Sequence, residues 1–307
     1  MSQQRLPVIE LGDLERPDTL RAIDAACREW GFFQVVDHGL EPSQLLALQR
    51  QMGEFFAQPA ARKNQIVRTA DNPWGFYDRE LTRHTPDWKQ IYDVGPPDGG
   101  VIRPQWPSEL REFRPVVARF YDSCSALALR LLRAIAVNLG VPAWSLDADF
   151  RGPHTSFLRL NYYPPCPAAA AGHQLGVNPH TDSGAVTVLL QDEQPGLEVL
   201  HDGRWELVEP RRDALVVNIG DIVQVWSNDR YRAALHRAFV HADAARYSAA
   251  FFLNPSYGAD YAPLPTMIDA GHPARYRAIN WGEFRARRTA GDYASAGEYA
   301  EISQYQL

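Results

Sequence analysis

The 307-residue sequence predicts a mainly β protein with flanking helices (α+β), built on a double-stranded β-helix (jelly-roll) core. Three observations carry this. Between residues 155 and 253, about eight short β-rich runs follow one another with turn signals between them. Their connections are too short for crossover helices, which opposes a parallel sheet. On either side lie segments whose apolar residues recur at helical spacing.

Composition narrows the class. Hydrophobic residues make up 45% and charged residues 22%, which is ordinary for a globular protein and unlike collagen or a disordered chain. The net charge of −6 opposes nucleic-acid binding. No stretch has the roughly 18–20 apolar residues of a membrane helix. The opening MSQQRLPVIELGDL shows no basic region, apolar run or cleavage site, so no secretion leader is expected. Three cysteines, Cys27, Cys124 and Cys166, show no CxxC spacing. A cytoplasmic protein with reduced thiols is the expectation. Nine histidines and 23 prolines call for explanation.

Residues 1–105 read as a mixed α/β region. Pro17 opens a helix with Leu20, Ile23, Cys27 and Trp30 at helical spacing, and Gly31 stops it. Phe32–Val36 is a strand. Pro42 starts a second helix with Leu45, Leu48, Met52 and Phe55 on one face. Residues 59–107 are broken by Pro and Gly and show no period. Residues 106–150 carry a scaffold helix: Pro107 and Pro115 are each expected to start a helix, the second running to Gly140 through Val117, Phe120, Cys124, Leu127, Leu131 and Ile135. Residues 151–260 form the core, with strands expected at Ser156–Tyr163, Ala185–Gln191, Leu197–His201, Trp205–Val208, Ala214–Ile219, Ile222–Trp226, Ala233–Val240 and Arg246–Leu253. Gly220-Asp221 signals a tight hairpin between two of them. Ala168–Ala171 is a loop. Residues 261–307 read as a loop and a helix near Trp281–Arg288 that packs on the core, giving one structural unit.

Chemistry points to the β region. His180-Thr181-Asp182 places a nitrogen and a carboxylate on one side of an extended strand. With one further ligand, such a pair can bind a metal; two His and one carboxylate suit non-haem Fe(II) and leave open positions. A lone His-x-Asp is common, and His241-Ala242-Asp243, in a polar turn, reads as solvated. His236, however, interrupts an apolar strand, where a histidine needs a hydrogen-bond partner or a metal. Arg246 and Ser248 share a face of the last strand, and a guanidinium beside a hydroxyl suits a carboxylate. Alternation puts Asn161 and Tyr163 on one face of the first strand.

Taken in order, Trp30-Gly31-Phe32-Phe33, Asp37-His38-Gly39, Asn161-Tyr162-Tyr163-Pro164-Pro165-Cys166-Pro167, His180-Thr181-Asp182-Ser183, Gly196-Leu197-Glu198-Val199, Val217-Asn218-Ile219-Gly220-Asp221, Trp226-Ser227-Asn228, His236-Arg237 and Arg246-Tyr247-Ser248 resemble one family. It is the Fe(II)/2-oxoglutarate-dependent dioxygenases related to isopenicillin N synthase, which include plant flavonoid and gibberellin oxygenases. The resemblance implies that His180, Asp182 and His236 hold Fe(II). It implies that Arg246 and Ser248 grip the distal carboxylate of 2-oxoglutarate with help from Tyr163, that Asn161 lies near its keto-acid end, and that Phe252 lines the substrate pocket. His38 matches a family motif but reads as structural.

The implied reaction consumes O₂ and 2-oxoglutarate, with ascorbate as reductant, and releases succinate and CO₂. It oxidises a C–H bond of a small organic molecule by hydroxylation, desaturation or cyclisation, in a role suited to secondary metabolism. Residues near Leu160 and the stretch Trp74-Gly75-Phe76-Tyr77 are further candidates for the pocket wall, with core packing as the competing role of those aromatics. Asp192 and Glu193 face either the mouth or solvent. Two alternatives stay open: an oxidase of the same fold that does not consume 2-oxoglutarate, and a non-enzymatic jelly-roll binding protein. No nucleic-acid or membrane partner is expected, and oligomeric state is left open.

Overall fold

The computed structural model describes residues 5–97, 102–166, 175–293 and 300–307. Pro167 and the Ala168–Ala171 run lie outside them.

The N-terminal region begins with β1 (Val8–Glu10), α1 (Pro17–Glu29), β2 (Phe32–Val36) and α2 (Pro42–Phe56). Proline in the first turn pre-sets the backbone of both helices. Gly31, at φ 65°, lets the chain turn from α1 into β2. The segment expected to be irregular instead holds α3 (Ala60–Lys63) and four strands: β3 (Gly75–Tyr77), β4 (Leu81–Thr82), β5 (Thr85–Pro86) and β6 (Gln90–Val94). These strands are short, and β6 pairs with a strand nearly 70 residues later, so no local period announces them.

The scaffold helix α4 runs from Phe113 to Asn138, with Pro115 in its first turn, where a missing N–H costs nothing. Its inner face buries Val117, Phe120, Cys124, Leu127, Leu131 and Ile135, and Gly140 follows at φ 77°. No helix starts at Pro107; residues 107–112 form turns.

The core holds β7 (Phe157–Tyr163), β8 (Leu175–His180), β9 (Val186–Gln191), β10 (Leu197–His201), β11 (Arg204–Leu207), β12 (Leu215–Ile219), α5 (Asp221–Trp226), β13 (His236–Phe239) and β14 (Arg246–Leu253). It is followed by β15 (Asp260–Tyr261), β16 (Ile279–Asn280) and α6 (Trp281–Tyr293). An eight-stranded sheet of order β1-β2-β12-β9-β14-β7-β6-β3 packs against a four-stranded sheet of order β11-β10-β13-β8, the two layers of a jelly roll. Among the described residues, no helix is long and apolar enough to cross a membrane.

Two local expectations fail in the core. Ile222–Trp226 is a helix, not a strand, and Gly220-Asp221 leads into it rather than forming a hairpin. Ile222, Val223, Val225 and Trp226 are all buried. A mostly apolar run of five residues is too short for periodicity to distinguish the two states. A Cβ on Gly220 would lie 2.2 Å from the Gly184 carbonyl oxygen, so glycine is needed where α5 meets the loop after β8. β8 itself is not announced by the sequence, because Gly176, Asn178 and Pro179 mask any alternation.

A buried charge network fastens the β3–β6 segment to β7. Glu80 receives Lys89 at 2.7 Å, Arg159 at 2.8 Å and Arg68 at 3.3 Å; Asp93 pairs with Arg68 at 2.9 Å and Arg159 at 2.8 Å. Burial disfavours the Glu80 carboxylate, but Arg159, Lys89 and Arg68 outweigh it and hold the group well below the usual carboxylate range. Glu80→Gln should therefore destabilise the fold by about 3 kcal/mol in denaturant titration at neutral pH, because it leaves three buried cations to share two carboxylates, Asp87 and Asp93. A depressed folded-state pKa stabilises above the unfolded value and is lost as pH falls, so the difference from wild type should shrink on acidification below about pH 4.

Candidate functional site

The site forms between the two sheets. β8 ends at His180, and its antiparallel pairing with β13 sets His236 directly opposite. The Nδ1 of His180 lies 2.8 Å from the Asn178 carbonyl oxygen, and that of His236 lies 3.1 Å from the Ala234 carbonyl. Each carbonyl fixes the Nδ1–H tautomer and leaves Nε2 free as a ligand atom. Both Nε2 atoms lie 3.7 Å from Oδ1 of Asp182.

Asp182 is not on the strand, as simple alternation would have it. It lies in the loop after β8. Its carbonyl accepts from the Asp221 N–H at 2.8 Å, and Arg288 of α6 donates to the neighbouring Thr181 carbonyl at 2.6 Å. Its Oδ2 accepts from Thr187 Oγ1 at 2.5 Å and from Asn218 Nδ2 at 2.7 Å, which turns Oδ1 towards the histidines. Burial opposes the Asp182 charge, but the imidazoles and these two donors prevail and lower its pKa. Packing around His180, and then His236 beside it, pushes the His180 pKa down to about 3. The pair is therefore a neutral imidazole and a carboxylate, the protonation states a metal needs. Among the described residues this is the one group of three whose ligand atoms lie within 4.8 Å of one another. Its two nitrogens and one carboxylate oxygen are the donor set for non-haem Fe(II).

The next part of the site lies on the facing sheet, where β14 pairs with β7 so that Arg246 stands opposite Tyr163 and Ser248 opposite Asn161. Arg246 is 1% exposed. Its Nη2 donates to Gln191 Oε1 at 2.9 Å, its guanidinium lies 5.0 Å from the Tyr163 ring centre, and its Nε has no hydrogen-bond partner. A buried guanidinium with an unused donor fits an anionic ligand. Two glycines make room for it: a Cβ on Gly196 would meet Arg246 Cδ at 2.6 Å, and one on Gly176 would meet the Tyr163 ring at 2.5 Å. Asn161 Nδ2 donates to Ser248 Oγ at 3.3 Å. One cavity of about 80 Å³ is lined by all eight residues singled out in the sequence: Asn161, Tyr163, His180, Asp182, His236, Arg246, Ser248 and Phe252.

A second cavity of about 190 Å³ adjoins it and shares His180, Asp182, Lys89, Arg159 and Phe252. Phe157 stacks on Phe252 at 4.7 Å, and Trp74 lies 6.1 Å from Phe157. Trp74 and, beside Leu160, Arg159 line this wall as expected, but Phe76 and Leu160 itself turn into the core and Tyr77 carries the Arg68 guanidinium at 4.2 Å. Phe157 and Arg159 are legible through the same alternation that selects Asn161 and Tyr163. Trp281, Gln191, Thr187 and Asn218 give no such signal.

Other candidates fall elsewhere. His38 is buried and its Nδ1 accepts from the Leu40 N–H, a structural role. His241 is half-buried against the Pro195 carbonyl rather than solvated, and Asp243 is exposed. Asp192 accepts from the Tyr247 N–H and Glu193 pairs with Arg212; neither lines the two cavities.

Residues 154–255 match the 2OG-Fe(II) oxygenase superfamily, and residues 6–109 match the non-haem dioxygenase in morphine synthesis N-terminal family. Flavanone 3-dioxygenase 2 of Oryza sativa subsp. japonica is 34% identical over 292 residues, covering 92% of this chain and 83% of that protein. The crystal structure of JOX2 in complex with 2OG, Fe and JA superposes with a TM-score of 0.86 at 30% identity, over 99% of this chain and 90% of that one. A full-length Neurospora crassa protein in complex with alpha-KG and thymine gives 0.85 at 27% identity, over 94% of this chain and 97% of that one.

Thr187→Val keeps the shape of the side chain but removes one donor from Asp182 Oδ2. Anaerobic calorimetry should find Fe(II) bound about tenfold more weakly by this variant than by wild type.

Proposed function

Because the chain belongs to the 2OG-Fe(II) oxygenase superfamily, we propose that His180, Asp182 and His236 hold its Fe(II) and that Arg246, Ser248, Tyr163 and Asn161 hold 2-oxoglutarate. The observation that carries this reading is the single cavity onto which all of these side chains open. The bound iron supplies O₂-dependent oxidation of a C–H bond, at the expense of 2-oxoglutarate, which leaves as succinate and CO₂.

The chain's own residues bind, orient and exclude water. The Asn178 and Ala234 carbonyls keep the Nδ1 protons of His180 and His236, so both Nε2 atoms face the centre. Asp182 presents Oδ1, because Oδ2 is taken by Thr187 and Asn218. Arg246 offers its guanidinium, and Ser248 its hydroxyl, to the distal carboxylate of the keto acid. Asn161, two residues before Tyr163 on β7, lies beside Ser248 and faces the keto-acid end. The mechanism asks no residue to act as general acid or base; it asks for position and for a dry site.

The substrate in this reading is a free small organic molecule held over the metal by Phe252, Phe157 and Trp74. The small molecules in the JOX2 and Neurospora crassa complexes, JA and thymine, support that class. Hydroxylation is the outcome we favour. The wall draws Trp74 from the N-terminal region, Phe157 from the core and Trp281 from the C-terminal helix, which supports one functional unit rather than separate domains. A reducing cytoplasm suits both Fe(II) and three buried free cysteines.

Substrate-stimulated succinate release, measured with Fe(II), ascorbate and a panel of small molecules, tests the reading. It should require 2-oxoglutarate and vanish in His180→Ala; turnover surviving that change would overturn the metal assignment. Gly196→Ala should displace Arg246 and raise the Kd for 2-oxoglutarate by about tenfold or more, the weight of a charge-assisted hydrogen bond, while leaving Fe(II) affinity unchanged.

A further inference from the structure

The two histidines are held in unequal ways. His236 sits on β13, which is flanked on both sides, by β10 and by β8. His180 sits at the end of β8, the edge strand of the four-stranded sheet, and its pairing with β13 is interrupted by register shifts. An edge strand with broken pairing does not by itself fix the direction of a terminal side chain. Something outside the sheet must do so.

The β4–β5 hairpin supplies the missing restraint. Immediately after it comes Asp87, whose side chain is 0% exposed. Its oxygens have separate partners. Oδ2 accepts from Thr82 Oγ1 at 2.7 Å and lies 3.1 Å from Lys89 Nζ, which also pairs with Glu80 at 2.7 Å. Oδ1 accepts from Asn178 twice, from the backbone N–H at 3.1 Å and from Nδ2 at 2.8 Å. The carbonyl of the same Asn178 accepts from His180 Nδ1 at 2.8 Å. One residue past Asp87, the Trp88 N–H donates to the Leu175 carbonyl at the start of β8. The hairpin segment thus grips β8 at both ends.

We propose that Asp87 is a positioning residue for His180. It fixes the Asn178 peptide, and that peptide aims the imidazole, so the affinity of the metal site depends on a carboxylate in the N-terminal region. Lys89 pairs with Asp87 and holds it in place. One partner of Asp87, Thr82, belongs to the hairpin, which also lines the substrate cavity through Leu81 and Thr82. The contact with Asn178, rather than the seating of the hairpin as a whole, ties this segment to the metal site.

The inference rests on His180 being a metal ligand, and the test separates the two ideas. Fe(II) binding to the full chain is measured by anaerobic calorimetry for wild type, His180→Ala, Asp87→Ala, Asn178→Ala and Glu301→Gln. Asp87→Ala leaves Lys89 one carboxylate partner, Glu80. It should weaken Fe(II) binding by about 10–100-fold, with a smaller loss in the same direction for Asn178→Ala. Glu301→Gln breaks the Arg83–Glu301 pair, which restrains the hairpin at a point outside this chain of contacts. It should leave Fe(II) affinity as in wild type. Melting of the metal-free variants reports any general loosening. Asp87→Ala binding Fe(II) within about twofold of wild type would overturn the proposal, as would an equal loss in Glu301→Gln. If Asp87→Ala does not fold, Asn178→Ala decides by the same comparison. Wild-type affinity in His180→Ala would instead overturn the metal assignment on which the proposal stands.

Discussion

Everything in this molecule depends on bringing two imidazole nitrogens and one carboxylate oxygen to within 4.8 Å of one another, between two sheets and with no covalent tie. Three polar groups at that distance compete with each other's hydration, and each would drift apart if left to its own strand. The structure answers with one restraint per group. Two carbonyls hold the outer nitrogens of the histidines, and Thr187 with Asn218 holds the outer oxygen of Asp182. The restraints come from β8, β9, β12 and the turn before β13. The two sheets must therefore be in register before the site exists.

The same logic extends to charge. A guanidinium as buried as that of Arg246 is costly unless an anion meets it. Asp192 lowers that cost only from a distance, with its own carboxyl raised by burial. The nearest hydrogen-bonding partner is the neutral amide of Gln191. The site is thus built incomplete, and in the proposed reading a dicarboxylate completes it. By contrast, the cations Arg68, Lys89 and Arg159 are matched within the fold by Glu80, Asp87 and Asp93. The charges of that network are matched before any ligand arrives, which fits a role in holding the β3–β6 segment over the barrel. Gly176 and Gly196 belong with this design, since each cedes its side-chain volume to Tyr163 or Arg246.

How legible is this in the sequence? The strand faces that carry Asn161, Tyr163, Arg246 and Ser248 are readable because alternation is a strictly local rule. The jelly roll is readable from the density of short strands and the brevity of their connections. His236 stands out because a histidine in an apolar run needs a reason. The failures are equally physical. Ile222–Trp226 is four buried apolar residues around Gln224, too short a run for periodicity to tell helix from strand. β6 exists because β7 offers it a partner from a distant part of the chain, and nothing in Gln90–Val94 announces that. For Asp182 the spacing from His180 points to the right chemistry for an incomplete reason: its direction comes from Thr187, Asn218 and the contact with α5, not from strand alternation.

This division explains why the reaction class is readable and the substrate is not. The metal and keto-acid groups lie on or beside strands paired to one another, so most of their directions follow from the sheets. The substrate wall is assembled from Trp74 in a loop, Phe157 and Phe252 on neighbouring strands, and Trp281 at the start of α6. No periodic rule links these residues, and their meeting depends on how the hairpin segment and the C-terminal helix seat on the barrel. The helix also reaches the metal end, because Arg288 donates to the Thr181 carbonyl between two of the ligands. The elements that shape the substrate wall therefore also brace the loop that carries Asp182. A change in specificity made at Arg288 of α6 or at Asp87 beside the hairpin also reaches the metal end, whereas a change confined to Phe252 or Phe157, on strands already locked by pairing, need not.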